Sequence, residues 1–210
     1  MMTTVLELED HSISLQERRL FMLSMAIRGG EVATVMGASG SGKSSLLASI
    51  AGFLDPVFTA AGSIKLNGED LSAKPAEKRQ IGLLFQDALL YPHLSVGGNL
   101  LFGLPHGLTA AQRRERGEQA LDSVGLAGFY DRDPATLSGG QQSRVALMRL
   151  LLSEPKAVLL DEPFANLDAQ LKTQTRDLVF DTLMAASIPA LLVTHDRQDA
   201  DAAQGQLFEL

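Results

Sequence analysis

Residues 37–44 read Gly-Ala-Ser-Gly-Ser-Gly-Lys-Ser and satisfy the pattern G-x-x-x-x-G-K-[ST]. In a loop of this type, backbone N–H groups turn toward an anion, and the helix that follows offers its N-terminus to the same charge. Lys43 would hold the β- and γ-phosphates of a nucleotide, and Ser44 would bind Mg²⁺. The candidate phosphate cradle is therefore Gly37, Ala38, Ser39, Gly40, Ser41, Gly42, Lys43, Ser44 and Ser45.

Two further strings fit that chemistry. Asp161-Glu162 follows the apolar run Ala157-Val158-Leu159-Leu160. Beside a bound triphosphate, Asp161 would support Mg²⁺ through water, and Glu162 would polarise a water toward the terminal phosphate. Leu137-Ser138-Gly139-Gly140-Gln141 opens a helical stretch. Physically it is a capping box, with Ser138 at the N-cap and Gln141 at N3. Functionally, Ser138 and the N–H groups of Gly139 and Gly140, with the helix dipole, could grip a phosphate. Taken alone, the string leaves both readings open.

The elements that must position these groups are legible in the apolar pattern. Residues 4–9 and 20–27 alternate as strands, and residues 31–36 form a short β-branched run ending at Gly37. A helix is expected from the loop to about Gly52. Residues 63–67 and 78–85 read as further strands. From about Asp87 to Leu152 the pattern turns helical, with Ala120, Leu121 and Val124 on one helix face. After Pro155 an α/β pattern returns, with strands over 157–160 and 190–193 around a helix over 169–186. The expected fold is α/β: a P-loop NTPase core of parallel strands with helical crossovers, a small N-terminal antiparallel β part and an inserted helical subdomain. The core is expected over residues 1–86 and 154–210, with the subdomain over 87–153. In such sheets ligands bind beyond the carboxyl ends of strands. Gly37 onward, Gln86, Asp161-Glu162 and His195 all fall at such ends, which gathers them into one expected site.

Composition narrows the function. The chain has 210 residues, 45% hydrophobic and 20% charged, as an ordinary globular protein does. Its net charge of −7 is unsuited to non-specific binding of nucleic acid or of an anionic membrane. It has no Cys, which removes disulfides, Cys-ligated zinc and thiol catalysis. Neither a signal peptide nor a membrane-spanning run of about 18 apolar residues is expected.

The phosphate loop, the string LSGGQ and VLLDEPFANLD at 158–168, in this order, resemble the ATP-binding subunits of ABC transporters over essentially the whole chain. The resemblance implies ATP and Mg²⁺ as ligands and ATP hydrolysis as the activity. It identifies Gln86 in LLFQDALLYPHLSV as the glutamine that senses Mg²⁺ and the attacking water, where the membrane subunit docks. It makes Asp168 a contact to a second copy and His195 in VTHD the histidine that reaches the γ-phosphate. Alone, Asp168 would be a helix cap and His195 a structural residue after a strand. The resemblance also places Ser138 and Gly140 of one copy on the nucleotide of another, so that two ATP molecules lie in a head-to-tail homodimer. The implied partners are integral-membrane permease subunits and, indirectly, a solute-binding protein, with the chain on the cytoplasmic face of the membrane.

Tyr91 through Leu104 resembles the binding-protein-dependent importers of the sulfate, ferric-iron and thiamine type, and residues 79–91 with 133–141 resemble the YnjD-like subunits. Ending at Leu210, the chain is expected to lack the regulatory β-domain that many such subunits carry. Export or lipoprotein release is the alternative within the family. DNA-repair members carry a long coiled coil and translation members two nucleotide domains, and neither pattern is present here. One departure stands out: residues 11–15, His-Ser-Ile-Ser-Leu, have no aromatic where the family stacks one on adenine. Ile13 or Leu15 is expected to pack on the base instead, with weaker affinity or looser base selectivity.

Overall fold

The computed structural model describes residues 4–38, 40–167 and 169–210, and these divide into two compact units. The first comprises residues up to Leu83, Lys156–Glu162 and Phe180–Leu210. It holds two sheets. Strands β1 (Val5–Leu15), β2 (Arg18–Arg28), β4 (Phe58–Leu66) and β5 (Glu69–Asp70) form an antiparallel sheet in the order β2-β1-β4-β5. β2 alternates exposed and buried residues along its length, as a strand with one solvated face should.

The second sheet has the order β6-β7-β8-β3-β9, built from β3 (Val32–Met36), β6 (Ile81–Leu84), β7 (Ala157–Asp161), β8 (Ala190–Thr194) and β9 (Leu207–Glu209). β3, β7, β8 and β9 run parallel. Val32–Val35, Ala157–Leu160 and all of β8 are buried on both faces, which is why their sequences read as apolar runs, with Thr34 and Thr194 as the buried hydroxyls among them. Register aligns their ends: Met36 lies opposite Thr194, and Asp161 opposite Val193.

Helix α1 (Lys43–Ala51) follows the phosphate loop and ends at Gly52, whose left-handed backbone closes the last turn onto Ala48 O. Arg79 ties down that end. Its guanidinium is buried and donates to Ser49 O at 2.7 Å, Ile50 O at 2.9 Å, Lys74 O at 2.8 Å and Ser72 O at 3.3 Å. A cation at a helix C-terminus meets carbonyls that have no intrahelical partner.

The second unit covers Leu84–Pro155 and Pro163–Val179. It contains α2 (Val96–Leu101), α3 (Ala110–Ser123), α4 (Gly139–Leu151) and the first part of α5 (Ala169–Ala185). α3 and α4 both begin with complete capping boxes, Thr109 with Gln112 and Ser138 with Gln141. Leu121 and Val124 are buried, as the helical spacing requires. Asn99 is fully buried and bonds to the backbone of Tyr91, Leu94 and Ser95, which fixes the segment before α2.

His11 sits at a register shift in β1, 2% exposed, with neither ring nitrogen hydrogen-bonded. Burial, and secondarily the charge of Arg79, hold its pKa below the ordinary histidine value. Its unfolded-state pKa is the higher one, so the neutral ring contributes stability above about pH 6.5, and this is lost as pH falls through the folded value. We expect the unfolding free energy from urea titrations to drop between pH 7.5 and pH 5.5, by up to about 1.4 kcal/mol per pH unit from this group. His11→Leu should flatten that acid limb. An unchanged slope in the variant would remove His11 as its source.

Candidate functional site: a phosphate loop beside two carboxylates and a histidine

Within the first unit, the ends of β3, β8 and β7 bring together the phosphate loop, His195 and the pair Asp161-Glu162. These are neighbouring strands, so chemistry separated by more than a hundred residues of chain converges at one sheet edge.

The loop is shaped for an anion. Gly42 is the N-cap of α1 at φ 99°, a left-handed conformation that favours glycine, and no side chain caps the helix. The first N–H groups of α1 are thus not taken by a side-chain cap. At Gly37, a Cβ would lie 2.7 Å from Ser41 Oγ and 2.8 Å from Leu210 O, so the strand-to-loop turn admits no side chain. Lys43 is only 6% exposed, and its ammonium donates to Gly37 O at 2.8 Å and Ala38 O at 2.9 Å. Ser41 Oγ is buried without a hydrogen-bond partner. A phosphate oxygen would supply what that hydroxyl and the helix N-terminus lack. Ser39 belongs to the expected cradle but lies outside the described residues. Ser44 is exposed and Ser45 half-buried.

Asp161 is half-buried at the end of β7. Burial pushes its carboxyl up from the ordinary value, the adjacent Glu162 adds to this, and Lys43 opposes it. Two neighbouring carboxylates, one partly desolvated, make an electrostatic setting that a divalent cation would relieve. The carboxylate of Asp161 and the hydroxyl of Ser44 are hard oxygen donors of the kind Mg²⁺ takes.

Glu162 takes a left-handed backbone at φ 45°, uncommon for a non-glycine residue, and its N–H donates to Val193 O at 2.9 Å. That turn directs its carboxylate to the neighbouring strand end. There His195 Nδ1 meets Glu162 Oε2 at 2.9 Å. Thr194 and Asp196 steady the histidine's turn: Asp196 N–H donates to Thr194 Oγ1 at 3.0 Å, and Asp196 caps α6 (Arg197–Ala203) through Gln198 N–H. Glu162 and His195 also line a cavity of about 360 Å³ with Gly40, Gly42, Lys43 and Ser44.

The other expected residues belong to the second unit. Gln86 is exposed, and its Nε2 donates to Asn166 Oδ1 at 3.2 Å. Asn166 Nδ2 in turn donates to Asp87 Oδ1 at 3.0 Å. Asn166 is thus the immediate partner of Gln86 and links it to Asp87, and sequence reasoning missed both. The only available signal was that Asn166 stands in the string ANLD. Ser138 N–H donates to Gln141 Oε1 at 3.0 Å and Ser138 Oγ accepts from Gln141 N–H at 3.4 Å, so the bland capping role is met. Ser138 and Gly139 remain exposed, while Gly140 is buried against Leu171. Asp168 lies outside the described residues.

Of the two residues expected against the base, Ile13 is not available. It is fully buried in the apolar core, because its position in β1 turns it inward. Leu15 does line the cavity, together with Leu20 and Phe58, and neither Leu20 nor Phe58 was expected there.

A nucleotide-binding sheet edge of this kind, with an inserted helical unit, defines an ATPase of the P-loop class. Residues 20–165 match the ABC transporter family, and the chain belongs to it. It is an ATP-binding, ATP-hydrolysing subunit of that family. It is 47% identical over 192 residues to the uncharacterized ABC transporter ATP-binding protein YnjD of Escherichia coli strain K12, covering 91% of this chain and 88% of that one. It is 41% identical over 187 residues to the Fe(3+) ions import ATP-binding protein FbpC of Agrobacterium fabrum, covering 89% of this chain but 52% of that protein. The chain therefore spans about half the length of its FbpC relatives. The solved structure of cbiO1 from Clostridium perfringens, part of the ABC transporter complex cbiONQ, superposes with a TM-score of 0.81 at 30% identity over 93% of this chain and 80% of that chain. Among the described residues no helix is long and apolar enough to cross a membrane.

The raised Asp161 carboxyl carries a prediction. Its ionised form costs folding stability above its folded pKa, and that cost disappears as pH falls below the unfolded value. At pH 7.5, Asp161→Asn should raise the melting temperature of the nucleotide-free protein and abolish the added stabilisation that Mg²⁺ gives with ATP. Scanning calorimetry with and without Mg·ATP checks both. A variant melting below the parent in the absence of nucleotide contradicts the charge argument.

Proposed function

We propose that this chain is the ATP-driven motor of an importer of a small solute, working as a head-to-tail pair on the cytoplasmic face of a membrane beneath a separate permease. The observation that carries this reading is the contact between Glu162 and His195 in the cavity that the phosphate loop lines. It supports reading Glu162 as the carboxylate base and His195 as a second polar group beside the terminal phosphate. Import is the direction the relatives support, through the iron-import proteins named above.

In this reading Lys43 exchanges its two loop carbonyls for phosphate oxygens. Ser44 and Asp161 would hold Mg²⁺, and the family resemblance would add Gln86 to them. That ion would neutralise charge on the β- and γ-phosphates. Glu162 accepts a proton from the attacking water as the water oxygen bonds to the γ-phosphorus. The bond to the bridging oxygen breaks, leaving ADP and inorganic phosphate. His195, held through Nδ1, keeps Nε2 for the γ-phosphate. Ser138, Gly139, Gly140 and Gln141 of the second copy complete the site, and Asp168 contacts that copy. ATP charge shared across both copies favours the closed pair, and hydrolysis removes it.

The permease contact is assigned to residues 87–105. Leu89, Tyr91 and Phe102 are exposed there, and Tyr91 and Phe102 rings lie 4.7 Å apart. Arg149 braces the segment by donating to Leu89 O and Ala88 O. An exposed apolar cluster on a rigid support is a common feature of a docking face.

Three variants and one isolation test the reading. Lys43→Ala should lose ATP binding. Glu162→Gln should bind ATP, fall in turnover by about 10²–10⁴-fold and accumulate as a dimer with ATP, seen by light scattering. Ser138→Arg should bind ATP as a monomer yet lose hydrolysis. Full turnover in Glu162→Gln overturns the assignment of the base. Tagged Glu162→Gln protein purified with ATP from detergent-solubilised cells should bring down a polytopic permease. Reproducible recovery of soluble or nucleic-acid-bound partners alone would redirect the function to a non-transport ATPase.

A further inference from the structure

The cavity beside the phosphate loop has two chemically distinct ends. One is polar: Gly40, Gly42, Lys43, Ser44 and Ser45, with Glu162 and His195. The other is formed by Leu15, Leu20 and Phe58 and carries no hydrogen-bonding side chain. The two ends are continuous, since a Cβ on Gly42 would lie 3.3 Å from Leu20 Cδ1. A nucleotide has the same polarity: a charged phosphate chain at one end and a flat, largely apolar base at the other.

Pairing in the antiparallel sheet explains how the apolar end is built. Leu15 ends β1, and its partner across the sheet is Phe58, the first residue of β4. Leu15 also pairs with Arg18, at the start of β2, two residues before Leu20. The Phe58 end is anchored: its N–H donates to Asp55 O at 3.0 Å, and Val57 N–H donates to Asp55 Oδ1 at 2.9 Å. Phe58 is half-buried and packs partly on the core, so its ring is held while part of it remains accessible to the cavity. Among the described residues that line the cavity, Phe58 is the one Phe, Tyr or Trp.

We propose that Phe58, on β4, is the base-stacking residue of this nucleotide site, with Leu15 and Leu20 completing an apolar platform. The aromatic face absent from residues 11–15 is thereby supplied across the β1–β4 pairing. The proposal rests on reading the loop as an ATP site. Because none of the three side chains can donate or accept a hydrogen bond, the platform recognises the face of a purine and not its edge. Adenine and guanine nucleotides should therefore bind within about tenfold of each other.

The test compares binding of ATP, GTP and inorganic tripolyphosphate, by calorimetry, to the parent protein, and of ATP and tripolyphosphate to Phe58→Ala, Phe58→Tyr and Lys43→Ala. Loss of one base–aromatic stack corresponds to roughly 5- to 150-fold weaker binding. Phe58→Ala should weaken ATP binding within that range, raise KM with kcat retained, and leave tripolyphosphate binding unchanged. Phe58→Tyr should restore ATP binding, which an effect through loosened packing alone would not require. Lys43→Ala should weaken both ligands. ATP binding unchanged in Phe58→Ala overturns the platform and leaves the ATP site standing. Equal weakening of ATP and tripolyphosphate in Phe58→Ala makes Phe58 a structural prop and overturns the proposal. Failure of the parent protein to bind either ligand overturns the ATP site itself. A hundredfold preference for ATP over GTP overturns the edge-blind platform.

Discussion

Strands β3, β7 and β8 are buried on both faces for nearly their whole length, and this constraint governs the placement of everything that can react. A charged side chain within those runs would have to be desolvated without a partner, which costs far more than the roughly 1–3 kcal/mol of an unpartnered hydroxyl such as that of Thr34 in β3. Charged and titratable groups are thereby confined to the strand ends. Because the strands are parallel and in register, their carboxyl ends are level, with Met36 opposite Thr194 and Asp161 opposite Val193. The phosphate loop, the carboxylate pair and His195 thus meet as a consequence of how the core is buried. No long-range polar bond is needed to gather them.

Much of this was legible because the residues that make the core also make the signal. Continuous apolar runs at 157–160 and 190–193 could only be doubly buried strands of this length, and the polar residues after them had to emerge at an edge. A first class of features that were not legible comes from a local break in periodicity. The alternation of β1 reads as ending near Glu9, yet the strand continues to Leu15 through a register shift after Leu8. A bulge resets which residues face inward, so Ile13 goes to the core and Leu15 to the cavity. Similarly β4 begins at Phe58, ahead of a small-residue stretch, Ala60-Ala61-Gly62, that by composition resembles a turn. Pairing with β1 overrides that local preference. Phe58 was invisible as a site residue because its role depends on a cross-strand partner, and one-dimensional spacing does not encode that.

Side-chain partners form a second class that sequence patterns do not reach. Gln86 stands at a strand end and can be picked out from its motif, but its bond to Asn166, and the onward bond to Asp87, join positions about eighty residues apart. The capping box at Ser138 shows the opposite case. The bland reading of that string is met in full, and Ser138 and Gly139 still remain exposed. Capping and ligand contact are compatible, since the cap uses one lone pair of the hydroxyl and leaves the other.

The two carbonyl contacts of Lys43 have an energetic consequence for the loop. A 6% exposed ammonium without acceptors would be costly, and the loop satisfies it from its own backbone. The charge of Lys43 is therefore satisfied before any ligand arrives. For Lys43, anion capture becomes a trade of one set of acceptors for another, so its share of the heat released reflects only the difference between them. Selectivity among anions then falls to how many oxygens each brings at once, and a lone phosphate competes poorly with a chain of three.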